Sequence, residues 1–145
     1  MSMATSQGSE NGDGAAVAAD NFAAGLPGAE SGADFAARQQ HSIKWQRLVD
    51  HSASENPNDW RLAILEADLL LEEMLEMKHA FGDTLGDKLK SMTTGDLPSL
   101  DKAWEAHRVR NRIAHDGSDF VLSQREARRI IGLYEDVLRE GGFIS

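Results

Sequence analysis

From Trp60 to about His79 the apolar residues recur at the spacing of an α-helix, and this run constrains the fold more than any other feature of the chain. On a wheel of about 100° per residue, Trp60, Ala63, Ile64, Ala67, Leu71, Met74 and Leu75 share one face. Leu62, Leu65 and Leu69 form a second patch opposite. A helix with apolar groups on two sides needs cover on two sides, so it belongs at the centre of a bundle or in a dimer interface. Asn56-Pro57-Asn58-Asp59 breaks the chain before it and supplies its cap.

The other segments follow the same period. A first helix is expected after Asp34 and to about Ser52, with Trp45, Leu48 and Val49 facing the core and a polar early half. Gly82 and Gly86 bracket a short third helix, which Thr84 can cap and in which Leu85, Leu89 and Met92 supply the buried side. A fourth starts near Pro98 or Ser99 and runs to about His115, where Asp116-Gly117 has the composition of a C-terminal stop. The fifth opens on the capping box Ser123-x-x-Glu126 and carries Ala127, Ile130, Tyr134, Val137 and Leu138 to Gly141-Gly142. No segment alternates as a strand, and there is no internal repeat. The expected fold is all-α, a small antiparallel bundle of four to five helices over residues 34–145.

Residues 1–33 read differently. They hold nine alanines, six glycines and four acids, with no Lys or Arg, and Val17, Phe22 and Leu26 are their sizeable apolar groups. Nothing there offsets the entropy of ordering, so a disordered leader, or a linker to something else, is expected. The chain has no cysteine, which excludes disulfides, a thiolate zinc site and a cysteine nucleophile, and fits a reducing, cytoplasmic setting. No apolar run approaches the roughly 18 residues that span a bilayer, and the start lacks a basic n-region and an apolar h-region. The expectation is therefore a chain neither secreted nor membrane-spanning.

A net charge of −9 argues against nucleic acid only if the charge is evenly spread. It is not. Lys102, Arg108, Arg110, Arg112, Arg125, Arg128 and Arg129 face only Glu105, Asp116, Asp119 and Glu126 within residues 102–129, a net of +3 that leaves −12 for the rest. On helix four, Leu100, Ala103, Trp104 and Ala114 define the expected core face, and Ala106, Val109 and Ile113 extend its arc. His107, Arg110 and Asn111 fall inside that arc, whereas Arg108, Arg112 and His115 fall at or beyond its edge. A guanidinium on an apolar arc is costly unless it is paired or faces a functional cavity. Glu66 or Asp68 on helix two offers Arg110 a structural bridge as the plainer alternative, and in a functional site the same acids would position the arginine.

Arg110-Asn111-Arg112-Ile113-Ala114-His115 matches the Arg-Asn-x-x-x-His signature of the HEPN superfamily, and over roughly residues 58–140 the chain resembles that family. The resemblance implies metal-independent RNA cleavage through attack of the ribose 2′-OH on the adjacent phosphate. In it His115 moves protons, Arg110 stabilises the phosphorane-like charge, and Asn111 orients the histidine or the phosphate. Glu66, Asp68 and His107 become supporting residues, and Arg108, Arg112, Arg128 and Arg129 become RNA contacts. Arg110 and His115, however, lie about 140° apart on an ideal helix. Family members solve this with a homodimer whose two motifs meet, so a homodimer and an RNA partner are expected.

Several features limit the resemblance or admit plainer readings. Family toxins silenced by adenylylation carry a tyrosine where this chain has Gly117, which argues against that regulation. Other members only dimerise or bind proteins, so a non-catalytic interaction module is the alternative. His115 in a last turn also complements the helix macrodipole without chemistry. His107 reads as a satisfied core histidine rather than a second catalytic one, Trp60 and Trp104 as core residues rather than base-stacking ones, and Arg125, Arg128 and Arg129 as a solvated face. The five histidines lack the spacing of a metal site, no glycine-rich phosphate loop or DNA-specific motif is present, and no cofactor is expected.

Overall fold

The computed structural model describes residues 30–145. The expected disorder of the leader therefore lies, for residues 1–29, outside the described residues. The described residues form α1 (Gly32–Ser52), α2 (Pro57–Met77), α3 (Leu85–Lys90), α4 (Leu100–Asp116), a 3₁₀ turn (Gly117–Asp119) and α5 (Gln124–Glu140), with no strand among them. No helix among the described residues is long and apolar enough to cross a membrane.

The chain divides into two units after Gln40. In the first, α1 begins two residues earlier than Asp34 because Ser31 caps it, its hydroxyl accepting from the Asp34 N–H at 3.0 Å. Arg38 pairs there with Glu30 at 2.7 Å.

In the second unit α2 is the central element, packed against α3, α4 and α5. Trp60, Ala63, Ile64, Ala67, Leu71, Met74 and Leu75 are all buried, as their shared wheel face predicts. Its start is capped by Asn56, whose side chain accepts from the Asn58 N–H. Thr84 and Ser123 cap α3 and α5 in the same way, through the Asp87 and Glu126 N–H groups, and each such cap is worth about 1 kcal/mol. Only half of the expected capping box forms at α5. The Glu126 carboxylate turns to the Arg129 guanidinium instead (2.8 and 3.1 Å). The start of α4 has no side-chain cap of its own, and Glu140 at the end of α5 accepts from the Ser99 N–H at 2.6 Å.

The pairs Lys102–Asp136 (2.9 Å) and Glu105–Arg129 (2.6 Å) fix α4 and α5 antiparallel, since the partner number falls as the α4 number rises. Trp45 and Leu48 seat the later half of α1, and the Trp45 indole N–H donates to Glu135 of α5 at 3.2 Å. On α4 the core face differs from expectation. Leu100, Ala103, Ala106, His107 and Ile113 are buried, but Ala114 and Asn111 are exposed. In its second half α4 is covered on the Ile113 side, and a wheel gives a direction without saying whether a neighbour reaches it.

Candidate functional site

α2, the beginning of α3 and α4 enclose a cleft of about 480 Å³ lined by Asp68, Thr84, Gly86, His107, Arg110 and Asn111, among others. His107, Arg110 and Asn111 reach it together because positions three and four apart share a side of a helix. Asp68 meets them from α2.

Asp68 is 5% exposed, and a buried carboxylate costs several kcal/mol unless donors surround it. Three side chains supply them. The Tyr134 hydroxyl on α5 donates at 2.7 Å, His107 Nδ1 lies 3.2 Å from both carboxylate oxygens, and Arg110 Nε lies 3.4 Å from Oδ2. The arginine contact has the distance of an ion pair without the alignment of a hydrogen bond. Burial first, and the Asp68 carboxylate second, push the Tyr134 phenol far above its ordinary range, so it remains a donor. Towards solvent the network continues. Arg110 Nη1 donates to Asn111 Oδ1 at 3.3 Å, and Asn111 Nδ2 lies 3.3 Å from His107 Nε2.

The arginine thus pairs with Asp68 and not with Glu66. Two residues turn α2 by about 200°, which puts Glu66 on the far side. There it lines a separate groove of about 440 Å³ with Lys44, Arg47 and His51. His107 is buried and hydrogen-bonded at both ring nitrogens, as the core-histidine reading expects, and joins the network. His115 does not. Its side chain is 89% exposed and pairs with Asp116 at 3.0 Å, and it does not line the cleft. Since α4 stays helical through Asp116, no early helix end swings His115 round to Arg110.

The other expected RNA contacts are dispersed. Arg108 lies over the Trp104 ring (5.8 Å) and Arg112 over the Phe120 ring (5.1 Å), while Arg129 is held by Glu105 and Glu126. Arg125 and Arg128 are exposed. Trp60 is a core residue whose indole N–H donates to the Ser54 carbonyl at 2.7 Å, and Trp104 is partly buried.

Sequence reasoning placed Tyr134 only on a core face. A phenol on such a face needs an acceptor, and that requirement was the available signal for a buried carboxylate nearby. Gly86 stands opposite His107 Nε2, and a glycine bracketing a short helix carries no sign in the sequence of belonging to a site. Of the second apolar patch on α2, Leu65 packs partly against the core, but Leu62 and Leu69 are 43% and 60% exposed. Leu69 lines both the cleft and the groove, and so forms the rim between them. No protein-family model, curated protein or solved structure matches this chain.

Proposed function

We propose that the chain is a HEPN-like endoribonuclease that acts as a homodimer, with Arg110 and Asn111 of one protomer and His115 of the other at each site. One observation carries this reading. A buried carboxylate holds Arg110 in a cleft beside Asn111, while His115 of the same motif stands exposed on the surface and out of reach of that cleft. The exposed Leu69 on the rim of the cleft, and the exposed Leu62 seven residues before it on α2, supply apolar surface that a second copy would cover. In the reaction the ribose 2′-oxygen attacks phosphorus and the 5′-oxygen leaves, giving a 2′,3′-cyclic phosphate and a 5′-hydroxyl. Arg110 stabilises the charge on the equatorial oxygens, and His115 gives the leaving oxygen its proton.

Complementation tests the composite site. Purified full-length protein should cleave single-stranded RNA in EDTA, and Arg110→Ala and His115→Ala should each fall by at least about a hundredfold. Mixing the two inactive variants restores one complete site in each mixed dimer. Random pairing then returns about a quarter of the wild-type rate. Failure of the mixture to recover, with exchange of protomers demonstrated, would exclude a shared site. A second reading, a non-catalytic interaction module, draws support from the same exposed Leu62 and Leu69, and it is left standing if a broad RNA panel is untouched.

A further inference from the structure

We infer that His107 is the proton acceptor of the cleft, the second imidazole of a two-histidine cleavage reaction. This rests on the ribonuclease reading above. Arg110 can only donate hydrogen bonds. Facing it, Asn111 must present its carbonyl oxygen, as it does at 3.3 Å. The amide NH₂ of Asn111 is then turned to His107 Nε2, also at 3.3 Å, so that nitrogen must accept and carries no proton. The proton of the neutral ring therefore sits on Nδ1 and points to the Asp68 carboxylate. Tyr134 donates to Asp68 from the other side and keeps it an acceptor. One donor order runs through all five side chains, and it leaves a basic lone pair on Nε2.

The lone pair faces the cleft. Although His107 is only 7% exposed, it lines the cavity, and its Nε2 has its hydrogen-bond contact with the exposed amide of Asn111. Gly86 stands opposite, where a Cβ would lie 3.8 Å from Nε2. A β-branched side chain at 86 would therefore stand within contact of the nitrogen and narrow the approach to it. The charged and titratable groups facing this ring are Asp68 and Glu72 of α2, Arg110 of α4 and Tyr134 of α5; α3 and its cap contribute Thr84, Leu85 and Gly86, none of which ionises in this range.

Transesterification of RNA needs a base at the 2′-OH and an acid at the 5′-oxygen, and one imidazole cannot occupy both positions. In the step proposed, the 2′-OH displaces the Asn111 amide and gives its proton to His107 Nε2. The 2′-O–P bond forms as the P–O5′ bond breaks. The departing O5′ takes a proton from the imidazolium of His115 on the second copy. His107 ends with one proton more and His115 with one fewer, and exchange with water resets both. Asp68, Tyr134 and Asn111 are positioning residues in this scheme.

The test uses full-length protein and a pH–rate profile. Wild type should give a bell. His107→Gln should lower the rate by at least about a hundredfold, abolish the fall of rate on the acid side, and leave the Kd of a 2′-deoxy dinucleotide unchanged. Nitrogen-15 NMR of the histidine rings should show His107 protonated on Nδ1 and bare on Nε2 at neutral pH. Should His107→Gln fail to fold, Gly86→Val supplies the same test by obstructing Nε2, and it should lose cleavage with the unfolding midpoint kept. A rate within about threefold of wild type with both limbs of the bell intact overturns the assignment of His107 while the ribonuclease reading stands. A ring protonated on Nε2 overturns it as well. Wild-type protein inert on every RNA overturns both.

Discussion

Replacing Tyr134 by Phe isolates one bond of the buried network. The ring is fully buried among apolar neighbours, and Phe keeps its packing while removing only the hydroxyl that donates to Asp68 at 2.7 Å. Hydrogen bonds to charged groups contribute about 1.5–3 kcal/mol, so a loss of about 2 kcal/mol is expected. For a domain of this size that lowers Tm by roughly 8–12 °C. Urea unfolding should show a lower midpoint at unchanged slope. In an Asp68→Asn background the same substitution should cost at least about 1 kcal/mol less, because the charged acceptor is gone. The pH dependence has a definite sign. Folding raises the phenol pKa, so its contribution is fully present below the unfolded value of about 10 and is lost as pH rises above it, where the unfolded chain ionises. Tyr134→Phe lacks that ionisation, so the gap between variant and wild type should narrow above about pH 10. A cost below about 0.5 kcal/mol at neutral pH, or full additivity with Asp68→Asn, would refute the reasoning.

Two further outcomes follow from geometry. Gly82 has φ +138°, and a Cβ there would lie 2.4 Å from Asp87 Cβ and 2.9 Å from its backbone carbon, so Gly82→Ala should cost about 1–3 kcal/mol in urea unfolding. Leu69→Glu, at an exposed rim position, should convert a dimer to a monomer in sedimentation while shifting stability by no more than about 0.5 kcal/mol.

The helices were legible because their caps and periods are local. Thr84 and Ser123 cap the helices they were expected to cap, Asn56 of the expected Asn-Pro-Asn-Asp segment caps α2, and every residue of the wheel face of α2 is buried, with Asp68 and Leu70 buried besides. Ser31 was passed over because the polar stretch after it masks a helix start. Asn111 and Ala114 were misplaced because burial depends on what neighbouring helices cover, which periodicity within α4 does not encode. Arg110 on an apolar arc called for a partner or a functional cavity, and which of Glu66 and Asp68 could serve it turned on which side of α2 faces α4. The Asp68–Tyr134 bond joins residues 66 positions apart, and no pattern in either helix announces the other.

Asp68, His107 and Tyr134 come from α2, α4 and α5, so the carboxylate keeps its donors only while all three helices are docked at once. Partial opening of any one of them would leave a charged carboxylate dry and short of donors, a state too costly to populate. Hydrogen exchange at the Tyr134 hydroxyl should consequently track global unfolding, whereas amides of α1, which lends no side chain to the network, open at lower free energy and leave the cleft whole.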